Sequence, residues 1–229
     1  MHMSRRAVLG ATAATALLAA CGRSANNGDL NGILDRLVTD VLREAPEFAT
    51  SLAVSEEQAG GRYIDRLSDS SKEGALRLRG IAERALADLR RLNRDSLEGQ
   101  DGVTYDVVTT ALTDQIASAQ FEHGGGAQAP YVVTQLTGAY TGIPDFMASQ
   151  HPVTNREQAD AYLSRLSAYA RVLDQESARI AEDAAAGIIP PSFCLSRLDS
   201  EGKEVGAIGL LRTFAAIPTG QNVLVTALA

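Results

Sequence analysis

The sequence predicts an all-α, multi-helical protein. Three observations carry that expectation. The 229 residues are rich in alanine, leucine and arginine and contain no tryptophan. No run alternates apolar and polar residues with the period of two that a half-buried strand needs. Two long stretches instead place apolar residues at i, i+3 and i+4, the spacing that gathers them on one helical face.

From the N-terminus, residues 1–20 read as a signal peptide. Ser4-Arg5-Arg6 is positive, Ala7 to Ala20 is apolar or small, and Cys21-Gly22 closes the run. A span this short falls below the roughly 20 residues a bilayer core requires, so it is expected to be cleaved and not to cross the membrane. Leu18-Ala19-Ala20-Cys21 resembles the bacterial lipobox, in which small residues fit the peptidase and Cys21 carries the lipid. The rival reading is an ordinary secretory signal beside a chance cysteine; position, flanks and composition favour the lipobox. Ser4-Arg5-Arg6-Ala7-Val8-Leu9 looks like the twin-arginine export pattern, with Val8 where phenylalanine and Gly10 where lysine are usual. Export by the general route is the alternative. The expected location is the cell envelope, with the membrane engaged through a lipid on Cys21.

Removing residues 1–20 deletes Arg5 and Arg6 and no acidic residue, taking the formal charge from −7 to −9. An acidic chain lacks the basic surface that counterion release from nucleic acid needs, so nucleic acid is not an expected partner. With Cys21 acylated, Cys194 has no intramolecular partner and reads as a small buried apolar residue, which excludes a disulfide framework.

Residues 21–29 read as a lipidated polar tether and 30–229 as one helical region. Weak helical patterns cover about 30–43, 101–121, 131–149 and 203–214. The strong ones are 71–93 and 155–186. In the first, Leu78, Ile81, Ala82, Ala85, Leu89 and Leu92 share a face. Arg77, Arg84, Arg90, Arg91 and Arg94 point elsewhere, interleaved with Glu73, Glu83 and Asp88, and read as a solvated, salt-laced surface. In the second, Thr154 and Glu157 form an expected capping box, and Tyr162, Leu166, Tyr169, Leu173 and Ile180 form the buried stripe. Gly187 is placed to end that helix, and Pro190-Pro191 cannot continue it. Breaks are expected at Pro46, Gly60-Gly61, Gly124-Gly125-Gly126 and Pro152.

No complete catalytic constellation is visible. There is no His-Glu-x-x-His, no zinc-spaced cysteine pair, no Gly-x-Ser-x-Gly elbow, and no lysine after the glycine run. No metal-ligating or catalytic residue is therefore assigned. Glu122-His123 ahead of the glycines is a single carboxylate–imidazole pair, too little for a metal site. His151-Pro152 is expected to close a turn by hydrogen bonding.

One block is distinctive. Residues 130–169 contain Gln135-Leu136-Thr137-Gly138, Pro144 with Phe146, His151-Pro152, and Tyr162-Leu163-Ser164-Arg165-Leu166. This block resembles the DUF885 family of bacterial proteins, as do "GVTYDVVTTAL" upstream and "IPTGQNVLVTAL" downstream. The resemblance implies a larger helical, metallopeptidase-like fold in which a second half binds zinc and hydrolyses peptides. It implies that this chain is the N-terminal scaffold half, incomplete at its C-terminus, with no cofactor of its own and inactive alone. Gln135, Tyr140 and His151 are then candidates to line a substrate channel, with local packing and capping as the simpler role. The second reading is a self-sufficient helical envelope lipoprotein that binds a partner or a small ligand.

Overall fold

The computed structural model describes residues 28–121, 123–125, 129–134 and 136–191, and six α-helices make up its regular structure. They are α1 (Gly28–Glu44), α2 (Pro46–Ser51), α3 (Lys72–Leu89), α4 (Gly99–Ser118), α5 (Ala139–Ser149) and α6 (Arg156–Ala185), with a 3₁₀ turn at Arg94–Ser96. The fold class is all-α, as expected. Arg5, Arg6, Leu18, Ala19, Ala20, Cys21, Gln135, Cys194 and the expected helix over 203–214 lie outside the described residues.

Local chemistry sets the boundaries. Ser71 starts α3 by accepting a hydrogen bond from the Gly74 N–H, a cap worth about 1 kcal/mol. The helix stops at Leu89, four residues before the expected end, because Asn93 caps the 3₁₀ turn by accepting from Asp95 N–H. Helix α1 starts at Gly28 and so takes the last two residues of the expected tether. Pro46, expected only as a break, opens α2 at its first turn, where a missing N–H costs nothing.

Two expectations fail at α5 and α6. The pattern over 131–149 is helical only from Ala139. Thr134 and Thr137 exchange backbone hydrogen bonds of 3.1 and 3.3 Å, and Gly138 at φ 125° turns the chain before the helix can begin. At α6 the cap is one residue later than expected. Asn155 accepts from Gln158 N–H at 2.9 Å, and the Gln158 side chain accepts from Thr154 N–H and Oγ1 at 2.8 and 2.7 Å. Glu157 instead reaches Arg62 at 2.5 Å. The far end closes as a Schellman motif: Gly187, at φ 82°, donates to Ala184 O and Ile188 donates to Asp183 O.

Among the described residues, packing divides the buried apolar ones into three clusters, the smallest of which gathers Leu42, Ala49, Ala59 and Tyr63. Leu30, Ile33, Leu34 and Leu37 of α1 meet Ile81, Ala82, Ala85, Leu86 and Leu89 of α3, and Val108 and Leu112 of α4. Ala139, Ile143, Phe146 and Met147 of α5 meet Ala159, Tyr162, Tyr169 and Val172 of α6, with Leu67 from the preceding connection. Of the expected α6 stripe, Leu166 and Leu173 are only half-buried and Ile180 is 38 % exposed. Arg165, Val172 and Asp183 are buried on this helix as well.

The arginine face on and after α3 is salt-laced, as its charge pattern implies. Arg77 bonds Glu44 and Asp69, Arg79 bonds Glu83, Arg91 bonds Asp88 and Arg94 bonds Asp106. Solvent-exposed pairs of this kind contribute about 0–1 kcal/mol each.

Candidate functional site

Arg165 is fully buried in the middle of α6, at 0 % exposure. A guanidinium has five N–H donors and no acceptor, so every partner must supply a lone pair. Nε donates to Arg66 O at 2.8 Å and Nη1 to His151 Nδ1 at 2.8 Å. Nη2 donates to Thr50 Oγ1 at 2.7 Å, with Tyr63 O at 3.1 Å and Pro46 O at 3.3 Å. The Phe146 ring closes one face, its centroid 4.9 Å from the guanidinium carbon. No carboxylate bonds it among the described residues. Burial pushes its pKa down to about 10, partly offset by the fields of Glu47 and Asp65, and it stays charged at neutral pH.

That geometry fixes the state of His151. Since Arg165 can only donate, His151 Nδ1 must accept, and the proton sits on Nε2, which donates to Gln158 O at 3.0 Å. The imidazole stands edge-on to Tyr162 with centroids 5.3 Å apart. Burial pushes its pKa down to about 4; the bond to Gln158 O opposes the shift and the Arg165 charge adds to it. Both ring nitrogens are engaged and the residue is 7 % exposed.

A second constellation lies at the C-terminal end of α6. Asp183, 6 % exposed, accepts from His123 Nδ1 and from Gly124 N–H, each at 2.9 Å. The carbonyl of Gly124 accepts from Arg179 Nη2, so one peptide unit bridges a carboxylate and a guanidinium spaced i, i+4 on the helix. Gly124 has φ 67°, and a Cβ there would run into the carbonyl of Pro130. Beside this clamp is a cavity of about 240 Å³ whose walls include Tyr131, Val133, Ile180, Ile188 and Pro190. Among the described residues, Asp183 is the only charged one lining it.

The residues singled out in the sequence are not brought together. His151 belongs to the Arg165 cluster. Tyr140 is half-buried and donates from its hydroxyl to Thr134 O at 2.7 Å. Neither lines the cavity, and Gln135 lies outside the described residues. Arg165 stood in the sequence only as part of the Tyr162-x-x-Arg165-Leu166 pattern, and Asp183 stood out not at all. The i, i+4 spacing of Arg179 and Asp183 was the available signal for the second cluster.

The zinc implied by the family resemblance does not fit these residues. Among the described residues no group of three or more His, Cys, Asp or Glu could hold a metal ion. His123 and Asp183 supply only two donors, and both Asp183 oxygens already accept hydrogen bonds.

Two outcomes follow from the Arg165 cluster. Arg165→Met leaves His151 Nδ1 and Arg66 O without the donor they have here and takes one donor from Thr50 Oγ1, Tyr63 O and Pro46 O, and is expected to cost about 3–5 kcal/mol in urea unfolding. A loss below 1 kcal/mol would show that the cluster does not hold the fold. His151 supplies the pH dependence. Its folded pKa lies below the unfolded 6.5, so the unfolded chain binds more protons between pH 6.5 and about 4. Its contribution is complete above pH 6.5 and is lost as pH falls through that window, on the order of 2–3 kcal/mol in all. His151→Gln should remove that part of the acid slope, and an unchanged slope would contradict the assignment.

No curated protein and no solved structure matches this chain. A family model described as "Bacterial protein of unknown function (DUF885)" matches residues 46–207. That span takes in helices α2 to α6, the Arg165 cluster and the cavity beside Asp183. The chain belongs to the DUF885 family.

Proposed function

We propose that this chain is a lipid-anchored cell-envelope protein serving as the helical scaffold of a metal-dependent peptidase or hydrolase, and inactive alone. The observation that carries the scaffold reading is helix α4. It buries Val108 and Leu112 against α1 and α3, yet its outward side carries Val103 and Val107, which are 53 % and 50 % exposed. The helix contains no lysine or arginine. A helix apolar on opposite sides is suited to burial between two layers, and an exposed apolar face is a surface for further protein to cover. In this reading the covering protein brings the metal ligands and the water-activating carboxylate, while α5 and α6 hold the wall behind the substrate. Tyr140 would face that substrate from the first turn of α5, and Gln135 remains a candidate from the sequence pattern. The lipobox-like residues Leu18 to Cys21 and the Arg5-Arg6 pair support export and anchoring.

Anchoring is tested by fractionation. Cys21→Ser should move the protein from the membrane pellet to the soluble fraction, and unchanged fractionation would refute lipidation there. The scaffold reading is tested by supplying zinc to the purified chain with a mixture of peptides as substrate. No cleavage is expected, and cleavage by the chain alone would overturn the reading.

A further inference from the structure

We infer that residues 203–214 of this chain dock as a helix on the outward side of α4, antiparallel to it, with Lys203 against Asp114. That side of α4 carries Val103, Val107 and Ala111, all exposed and spaced i, i+4 and i+8. Asp106 at its edge is held by Arg94. Asp114, also exposed, is then the carboxylate on this side with no ion pair among the described residues.

Pattern, length and charge select this occupant. Ala207, Leu210, Leu211 and Phe214 stand at i, i+3, i+4 and i+7, with Lys203 one turn earlier on the same face. A helix this short that carries Gly206 and Gly209 is marginal by itself and needs a surface to pack on. The family match runs on to residue 207, past the last described residue, so the segment begins within the family's span. As a helix, 203–214 is about 18 Å long, the length of α4 from Val103 to Asp114.

The route is short. Helix α4 ends at Ser118, and Gly124 is already bonded to Asp183 in the last turn of α6. The chain from Ser118 to Gly124 spans at most about 20 Å, whereas residues 192–202 can extend over about 36 Å. A segment leaving Pro191 therefore meets α4 at its C-terminal end and must run back along it. Antiparallel docking sets Lys203 beside Asp114, Leu210 and Leu211 over Val107, and Phe214 over Val103. Helix α4 has no lysine or arginine to repel Lys203. The inference deepens the scaffold reading by naming the first part of the protein that covers α4, and it rests on that reading only in taking this face to be covered. Peptide cleavage tests the reading; the experiment below reads the docking alone.

Zero-length carbodiimide coupling of the purified full chain, followed by peptide mass spectrometry, tests it. The sequence has only two lysines, Lys72 and Lys203. Lys72 pairs with Glu182, so a Lys72–Glu182 link reports both the reagent and an intact fold. A Lys203–Asp114 link within the monomer is expected. Phe214→Asp should lower its yield by about tenfold or more, because an ionised carboxylate resists burial against valine, while the Lys72–Glu182 link persists. Absence of the Lys203–Asp114 link where Lys72–Glu182 forms would overturn the inference. A link found only in cross-linked dimers would overturn it too, and would make a second copy the occupant. So would a link whose yield survives Phe214→Asp.

Discussion

The buried guanidinium of Arg165 is the constraint around which the other parts are arranged. Residues 52–71, between α2 and α3, contain turns but no helix beyond Ser51. Their backbone groups need partners that secondary structure does not provide. Helix α6 provides them. Arg165 donates to Tyr63 O and Arg66 O, Arg171 to Leu67 O, and Arg179 to Ser70 O, while Gln175 accepts from Ser70 N–H. These positions recur along the helix at spacings near one or two turns, so one side of α6 runs along the connection residue by residue. Helices α1, α3 and α4 bury their apolar faces on each other and α5 buries its own on α6. The polar ladder is what ties the second pair to the first three.

An ionised group in that position costs several kcal/mol to desolvate, and only a full set of partners offsets the loss. The partners here are neutral. Carbonyls, a hydroxyl and an imidazole share the charge where a single carboxylate would have left most of the donors unmatched. The arrangement also imposes a choice on its surroundings. A histidine beside an arginine must be neutral, and its remaining N–H must find an acceptor, which the first turns of α6 supply at Gln158 O. The turn between α5 and α6 is thus held by the same charge that holds the 52–71 connection. Lysine could not replace Arg165, because three donors on one nitrogen cannot reach acceptors spread around a planar fork.

Much of this was legible where the signal is local. The i, i+3, i+4 spacing of Ile81, Ala82, Ala85 and Leu89 identified α3 and its buried face, and Gly187 identified the end of α6. The family was legible in the 130–169 block. What could not be read was set by competition between neighbours or by distance along the chain. Thr154 and Asn155 are both good caps; Asn155 takes the role, and the next acidic residue, Glu157, goes to Arg62 instead. Tyr131, Val132 and Val133 continue a helical pattern in composition, but Gly138 and the Thr134–Thr137 bonds end it from the other side. Arg165 reads as one more surface arginine until three separate chain segments converge on it. The pairing of His123 with Asp183 spans 60 positions, which no spacing rule reaches.

The two halves of α6 differ in a way that separates structure from function. Around Arg165 all three guanidinium nitrogens and both nitrogens of His151 have hydrogen-bond partners, and the residues are buried. Such a cluster can specify a fold but, buried as it is, is closed to a ligand from solvent. Around Asp183 the same kinds of groups are assembled less completely. The carboxylate is satisfied, yet the side chain of His123, which helps satisfy it, is 40 % exposed. A substitution at Arg165 should therefore be felt across the whole molecule as lost stability. One at His123 removes one of the two partners of the Asp183 carboxylate and should be felt chiefly at the C-terminal end of α6. The centre of α6 is thus committed to holding the fold, and its C-terminal end is the less completely committed of the two.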